Sequence, residues 1–343
     1  MTLTAAPRPV GPSVWDGVSL HRSPRRAPVA VGGTMDPATL VGAYRAGAFP
    51  WPSDEPADDA TDVPAAAAVA SSGATIDGSG DLAPVEAVDG IVSVYGYGAT
   101  NHPASTDHPA STDHPASTDG QRGSTDSADP AQWGLAEYYR MLRAAVAARR
   151  IRHLSPQRPG GYDLPWWSPD PRAVIPAGGV RVSRSLRKRL RGCGWTTSID
   201  EAFVDVVRGC QRDGTSGWIT DELLDGYAEL HALGWAHSIE VWDGDELVGG
   251  MYGVGIGGVF AGESMFHART DASKIALADF DARFRAGGGV LLDVQLTTEH
   301  LISLGARDVP RRDYLAVLAK VRDDDVRLTR DRLPVSRLAP PTS

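Results

Sequence analysis

The sequence predicts a mixed α/β protein of the α+β kind, and three observations carry that prediction. Downstream of Trp167, apolar runs of strand length at 174–175, 180–182, 238–241, 246–253, 258–261 and 290–296 alternate with helix-length stretches at 184–191, 202–210, 221–233 and 271–286. Glycines such as Gly257-Gly258 and Gly287-Gly288-Gly289 punctuate the runs. Strand, helix and strand follow one another over 258–296, which demands a crossover helix and hence at least one parallel strand pair.

Taken in order, the first element is a short helix signalled by Asp36 as N-cap, Pro37 at its first position, the apolar Leu40, Val41 and Tyr44, and a closing Gly47. Phe49-Pro50-Trp51-Pro52 then forms a stiff aromatic turn, because each proline restricts itself and the residue before it. From 53 to 130 the chain turns to Ala, Asp, Ser, Thr, Gly and Pro, and repeats His-Pro-Ala-Ser-Thr-Asp from His102, His108 and His114. Without large apolar residues in the repeat, burial cannot offset the entropy of ordering, so this stretch is expected to be disordered. Helical character returns over 131–150, where Leu135, Tyr138, Tyr139, Leu142 and Val146 share a face. Further along, Ser183 and Thr220 are placed to cap the helices that follow them.

The net charge of −9 misleads, since 53–130 alone carries 14 acidic residues against one basic. The remainder is mildly basic, and a nucleic-acid partner stays open. Two cysteines, Cys193 and Cys210, are too few for a disulfide framework and suit a reducing compartment. No apolar run reaches about 18 residues and the N-terminus has no apolar leader, so a soluble, cytoplasmic protein is expected, with no membrane partner. No Walker A sequence, no Ser-His-Asp spacing and no Cys-x-x-Cys pair occurs; neither a metal nor a cofactor is expected.

Several residues could carry chemistry. Asp293 and Gln295 lie two apart on a predicted strand and so share a face, with Leu292, Val294 and Leu296 on the other. They read either as a hydrogen-bonded pair satisfying a sheet end or as a site in which Asp293 orients the Gln295 amide. Glu263, expected in a loop just after the 258–261 strand, sits beside Met265 and Phe266 and could receive a cationic ligand group. Trp51 and Trp218 lie in Pro-rich or Gly-flanked segments, where an indole is available to stack on a base. Arg181, Arg184, Arg187, Lys188, Arg189 and Arg191 form the strongest basic cluster and suit phosphate contacts, with Arg311-Arg312 as a second possibility.

Several motifs together resemble the leucyl/phenylalanyl-tRNA–protein transferase family: Gly42-Ala43-Tyr44-Arg45 through Trp51, Trp166-Trp167-Ser168-Pro169-Asp170-Pro171-Arg172, Trp218-Ile219-Thr220, Glu263-Ser264-Met265-Phe266, Asp293-Val294-Gln295 and Pro310 through Tyr314. The resemblance covers about 32–52 and 166–318. It implies transfer of Leu, Phe or, less readily, Met from aminoacyl-tRNA to proteins beginning with Arg or Lys, which marks them for degradation; the partners would be Leu-tRNA, Phe-tRNA and those proteins, and the enzyme a monomer. It further implies a GCN5-type N-acyltransferase-like domain at 196–325, an N-terminal domain at 1–52 that continues at 166–195, an insertion at 53–130, a helix and linker at 131–165, and a tail at 326–343. By the same resemblance Met251, Phe260, Met265, Leu277, Phe280 and Leu292 would hold the amino-acid side chain, Trp51 and Trp218 the terminal adenosine, and Tyr227 would line the site. Glu263, Asp293 and Gln295 would surround the reacting ester and amine.

The chain departs from the family pattern at Gly217, at Thr34-Met35 and, above all, in the insertion beside Trp51, which puts access to the adenosine site in doubt. Two competing readings are an acyl-CoA-dependent N-acetyltransferase, which would need a pyrophosphate-binding loop that the sequence lacks, and a non-catalytic RNA-binding protein.

Overall fold

A computed structural model describes residues 2–51, 135–155, 164–211 and 219–339. The expected disordered insertion and Trp218 lie outside these described residues, as do the repeat histidines.

The first helix, α1 (Pro37–Ala46), begins as its sequence dictates: Asp36 accepts hydrogen bonds from the Ala38 and Thr39 amides, both at 3.0 Å. Gly47 ends it with φ at 91°, and a Cβ there would stand 2.4 Å from the Leu315 side chain, so both conformation and space call for glycine. Around it stands a four-stranded sheet in the order β2 (Phe49–Pro50), β4 (Pro165–Trp167), β1 (Ala30–Gly32), β3 (Arg152–Leu154). Trp166 is fully buried in this sheet, its indole nitrogen donating to the Gly32 carbonyl at 2.7 Å. The helix expected over 131–150 is observed as α2 (Leu135–Ala147).

A larger, eight-stranded sheet follows. In chain order its strands are β5 (Arg172–Pro176), β6 (Thr196–Ile199), β7 (Ala236–Asp243), β8 (Glu246–Ile256), β9 (Val259–His267), β10 (Leu291–Gln295), β11 (Arg307–Val309) and β12 (Leu333–Pro334). In space they run β11-β5-β10-β9-β8-β7-β6-β12. Pairing is antiparallel except for β9 with β10, whose parallel register sets Phe260 beside Leu292. The expected crossover helix joins that pair: α6 (Ala272–Ala286) buries Ile275, Leu277, Phe280 and Phe284 against the sheet. Between β5 and α6 in the chain come α3 (Arg184–Gly192), α4 (Phe203–Cys210) and α5 (Asp221–Ala232), and after β10 come α7 (Glu299–Ser303) and α8 (Arg311–Val321). Ser183 and Thr220 cap α3 and α5 through the Leu186 and Leu223 amides, at 3.2 and 3.3 Å.

One expected strand is absent. Residues 180–182 form no ladder, because the Asp281 carboxylate takes the Gly178 and Val180 amides at 2.6 and 3.1 Å and the Arg181 amide goes to the Leu304 carbonyl. Alternating apolar residues there serve a loop pinned by a side chain from α6. Residues 329–334 are also engaged: β12 pairs with β6, and buried Arg283 donates to the carbonyls of Thr329 and Asp331 as well as to that of Thr197. Among the described residues no helix is long and apolar enough to cross a membrane, and Cys193 and Cys210 are both free thiols.

Candidate active site

Two irregularities in the larger sheet build the site. Across β8 and β9, Gly253 faces Gly262 but Tyr252 faces Ser264, so Glu263 is the extra residue of a bulge. Glu263 therefore lies within β9 and is buried at 2% exposure, not in the loop that a shorter strand would have left it in. Across β10 and β5, Asp293 faces Val174 and Gln295 faces Ala173, which makes Val294 a second extra residue. Bulges of this kind bend a strand and re-aim its side chains. Gln295 takes a positive φ of 59°, and the Leu296 amide reaches back to the Val294 carbonyl at 2.7 Å, closing a tight γ-turn. A non-glycine residue held this way is strained, and such strain clusters at functional sites.

The bulges bring the three expected polar residues into one cluster. Gln295 Nε2 donates to the Gly262 carbonyl at 2.7 Å and to Glu263 Oε1 at 3.1 Å. The expectation that Asp293 orients this amide needs correction: Asp293 Oδ1 accepts from the Gln295 main-chain amide at 3.0 Å, while the side-chain amide is held by β9. Asp293 is fully buried and pairs with buried Arg172, Nε to Oδ1 at 2.8 Å and Nη2 to Oδ2 at 2.6 Å, and the Tyr314 hydroxyl adds a bond to Oδ2 at 2.8 Å. Burial alone would lower the Arg172 pKa, but the adjacent Asp293 carboxylate outweighs it and the guanidinium stays charged. On the other side, the Tyr227 hydroxyl donates to Glu263 Oε2 at 2.8 Å and lies 2.8 Å from the Tyr44 hydroxyl. Gly226 permits that meeting of α5 with the N-terminal segment, since a Cβ there would stand 2.8 Å from the Met35 carbonyl.

Arg172, Tyr44 and Tyr314 fall within the motif stretches, yet sequence reasoning gave them no role. A signal for Arg172 existed: an arginine opening the apolar run Ala173-Val174-Ile175 must find a buried acid. The six apolar residues expected around the amino-acid side chain lie together: Met251, Phe260, Leu277, Phe280 and Leu292 are buried in one cluster and Met265 is half-buried against it. The Phe260 and Phe280 ring centroids are 4.0 Å apart. Trp51, half-buried, has the Phe49 ring at 6.0 Å and the Trp167 ring at 6.5 Å.

Arg181, Arg184, Arg187, Lys188, Arg189 and Arg191 are all exposed on or just before α3, although Arg189 lies 3.9 Å from Asp271 and is thus not without an acid nearby. Arg311 is corrected outright. Only 3% exposed, it gives its guanidinium to the carbonyls of Pro24 at 2.8 Å and of Ser23 and Ser168, both at 2.5 Å, so it binds the protein's own backbone and not a phosphate. Arg311→Ala is accordingly expected to cost about 2–4 kcal/mol of stability by orphaning those acceptors. A urea denaturation curve checks it.

Burial pushes Glu263 up to about 7 from its ordinary 4.5, against the lowering effect of the Tyr227 hydrogen bond. The folded state therefore binds this proton more tightly than the unfolded chain, and stability falls as pH rises from 4.5 to about 7. Glu263→Gln removes that dependence. The loss of stability between about pH 4 and about pH 8, read from urea midpoints, is expected to shrink by roughly 3 kcal/mol in the variant.

Comparison with known proteins identifies the family. The family model described as leucyl/phenylalanyl-tRNA protein transferase matches residues 174–319. A leucyl/phenylalanyl-tRNA–protein transferase of Shewanella piezotolerans is 49% identical over 164 residues, 47% of this chain and 70% of that one. The Proteus mirabilis protein of that name is 48% identical over 155 residues, 45% of this chain and 67% of that one. Among solved structures, L-PGS from Bacillus licheniformis aligns with a TM-score of 0.28 and 13% identity over 38% of this chain and 46% of that one, too slight a likeness to bear on the fold. A mixed α/β fold carrying a buried carboxylate and amide cluster, with these relatives, is that of an aminoacyltransferase. The chain belongs to the leucyl/phenylalanyl-tRNA–protein transferase family.

Proposed function

We propose that this protein moves Leu, Phe and, less readily, Met from aminoacyl-tRNA to the N-terminal Arg or Lys of acceptor proteins, marking them for degradation, and that it acts as a cytoplasmic monomer on a GCN5-type scaffold. The observation that carries the reading is the Gln295 amide clamped to Gly262 and Glu263 between β10 and β9, the strands that also carry Leu292, Phe260 and Met265 of the apolar cluster completed by Met251 on β8 and by Leu277 and Phe280 on α6. In this reading the apolar cluster takes the amino-acid side chain, Trp51 and Trp218 take the terminal adenosine, and Glu263 with Gln295 receives the acceptor's ammonium. Asp293 supports Gln295 from behind.

The physical chemistry is modest. An aminoacyl ester is already activated, and an α-amino group with a pKa of about 7.7–8.0 is partly neutral at physiological pH. Alignment is then the main catalytic term, worth up to roughly 7–11 kcal/mol where the reacting atoms are well held. Transfer of labelled Leu or Phe from charged tRNA to a peptide beginning with Arg, without ATP, tests the reading; no transfer overturns it.

The exposed basic face of α3 is assigned to the tRNA backbone. Reversing Arg184, Arg187 and Lys188 to glutamate is expected to weaken tRNA binding by more than about tenfold and to flatten its salt dependence, with kcat at saturating tRNA retained. Binding curves at several salt concentrations distinguish this from a solvated face of no consequence.

A further inference from the structure

Formation of the new amide strips protons from the incoming ammonium, and two carboxylates border the Gln295 amide. They differ in what holds them. Asp293 accepts four hydrogen bonds: Arg172 Nε at 2.8 Å and the Gln295 amide at 3.0 Å on Oδ1, Arg172 Nη2 at 2.6 Å and the Tyr314 hydroxyl at 2.8 Å on Oδ2. A carboxylate has about four lone-pair sites, so each is taken and none faces a substrate. The guanidinium is itself immobilised, its central carbon 4.7 Å from both the Phe49 and the Tyr314 ring centroids. Glu263, across the amide, is held by neutral donors, among them Tyr227, Tyr44 and Gln295.

We propose that Arg172 is a positioning residue that locks Asp293 as the anchor of the Gln295 turn, and that Glu263 is the carboxylate that takes the proton from the acceptor amine. This assignment rests on the aminoacyl-transfer reading of the site. The ammonium gives one proton to Glu263, and the freed lone pair forms the C–N bond to the ester carbonyl carbon. As the bond from that carbon to the ribose oxygen breaks, the second nitrogen proton passes to the departing oxygen. Glu263 returns its proton to water once the product has left. The groups that act on Glu263 are Tyr44 from α1, Tyr227 from α5, Arg172 from β5, and Asp293 and Gln295 from β10, with Tyr252 from β8 packed edge-on against the Tyr227 ring at 5.3 Å. Burial, the largest influence, brings Glu263 to about 7, where a group can both take and release a proton near neutrality.

Infrared titration of the ligand-free enzyme tests the assignment without any need for turnover. A protonated-carboxyl carbonyl band that disappears with a midpoint near 7 is expected in the unaltered protein. It should be missing from Glu263→Gln and unmoved in Arg172→Lys; should Arg172→Lys not fold, Tyr314→Phe makes the same comparison. In transfer assays Glu263→Gln should lose about 100-fold in kcat together with the matching limb of the pH profile. Tyr314→Phe should lose no more than about tenfold and keep the midpoint, since it loosens only the anchor. A band with a midpoint near 7 that persists in Glu263→Gln, or a midpoint that moves with Tyr314→Phe, overturns the proposal. An intact band in an enzyme that transfers nothing overturns the aminoacyl-transfer reading instead.

Discussion

Arg172→Met is expected to lower folding stability by about 3–5 kcal/mol, because removing one partner of a buried ion pair leaves the other charge uncompensated. The pair is as enclosed as a pair can be, with side-chain exposures of 1% and 0% for Arg172 and Asp293. Methionine fills much of the guanidinium's volume, so the loss measures charge and hydrogen bonding more than a cavity. It also frees the Tyr314 ring and the Gly47 carbonyl of their cation, the latter now 3.4 Å from Nη1. Urea denaturation supplies the check. A change below about 1 kcal/mol would mean that solvent reaches the pair and screens it as it does at a surface. The double variant Arg172→Met with Asp293→Leu should recover part of the loss, since two apolar groups can replace a buried pair at little cost, yet it should stay inactive because the Gln295 turn has lost its anchor.

The second large effect concerns turnover. Gln295→Ala is expected to lower kcat by about 100-fold or more, as loss of a group that aligns the reacting amine does, while tRNA affinity stays within about twofold. Part of any effect could come from the turn itself, since alanine at a positive φ is strained. Gln295→Gly relieves that strain and serves as the control: equal losses in both variants assign the effect to the amide. A fall in tRNA affinity with kcat intact would sink the alignment role. Single-turnover assays with charged tRNA in excess separate the two quantities.

Much of the fold was legible because its cues are local. Asp36 with Pro37, Ser183, Thr220 and Gly47 act within one turn of themselves, and the 258–296 succession contains its own crossover. The strand expected at 180–182 was illegible for the opposite reason. Its amides are claimed by Asp281, about a hundred residues downstream, and apolar alternation carries no trace of that competitor. At the site, Asp293 and Gln295 were recognisable as polar residues on an apolar strand, but the register shifts that turn Glu263 inward and give Gln295 its positive φ are set by neighbouring strands. Residue types state what a side chain can do; which partner it meets depends on pairing far along the chain.

That distance orders events as the chain is made. Glu263 and Gln295 are 32 residues apart and belong to one strand, helix and strand unit that can form early from near neighbours. Arg172 is 121 residues before the aspartate it locks, and Tyr44 is 183 residues before Tyr227. Tyr314 leaves the ribosome after all of them. A nascent chain short of α8 thus carries Arg172 and Asp293 without the tyrosine that bonds to their pair, although the loop-closure entropy of the Tyr44 to Tyr227 contact can be met earlier. The anchor beneath the Gln295 turn is thus assembled from three distant parts of the chain, while the Glu263 and Gln295 pair is local.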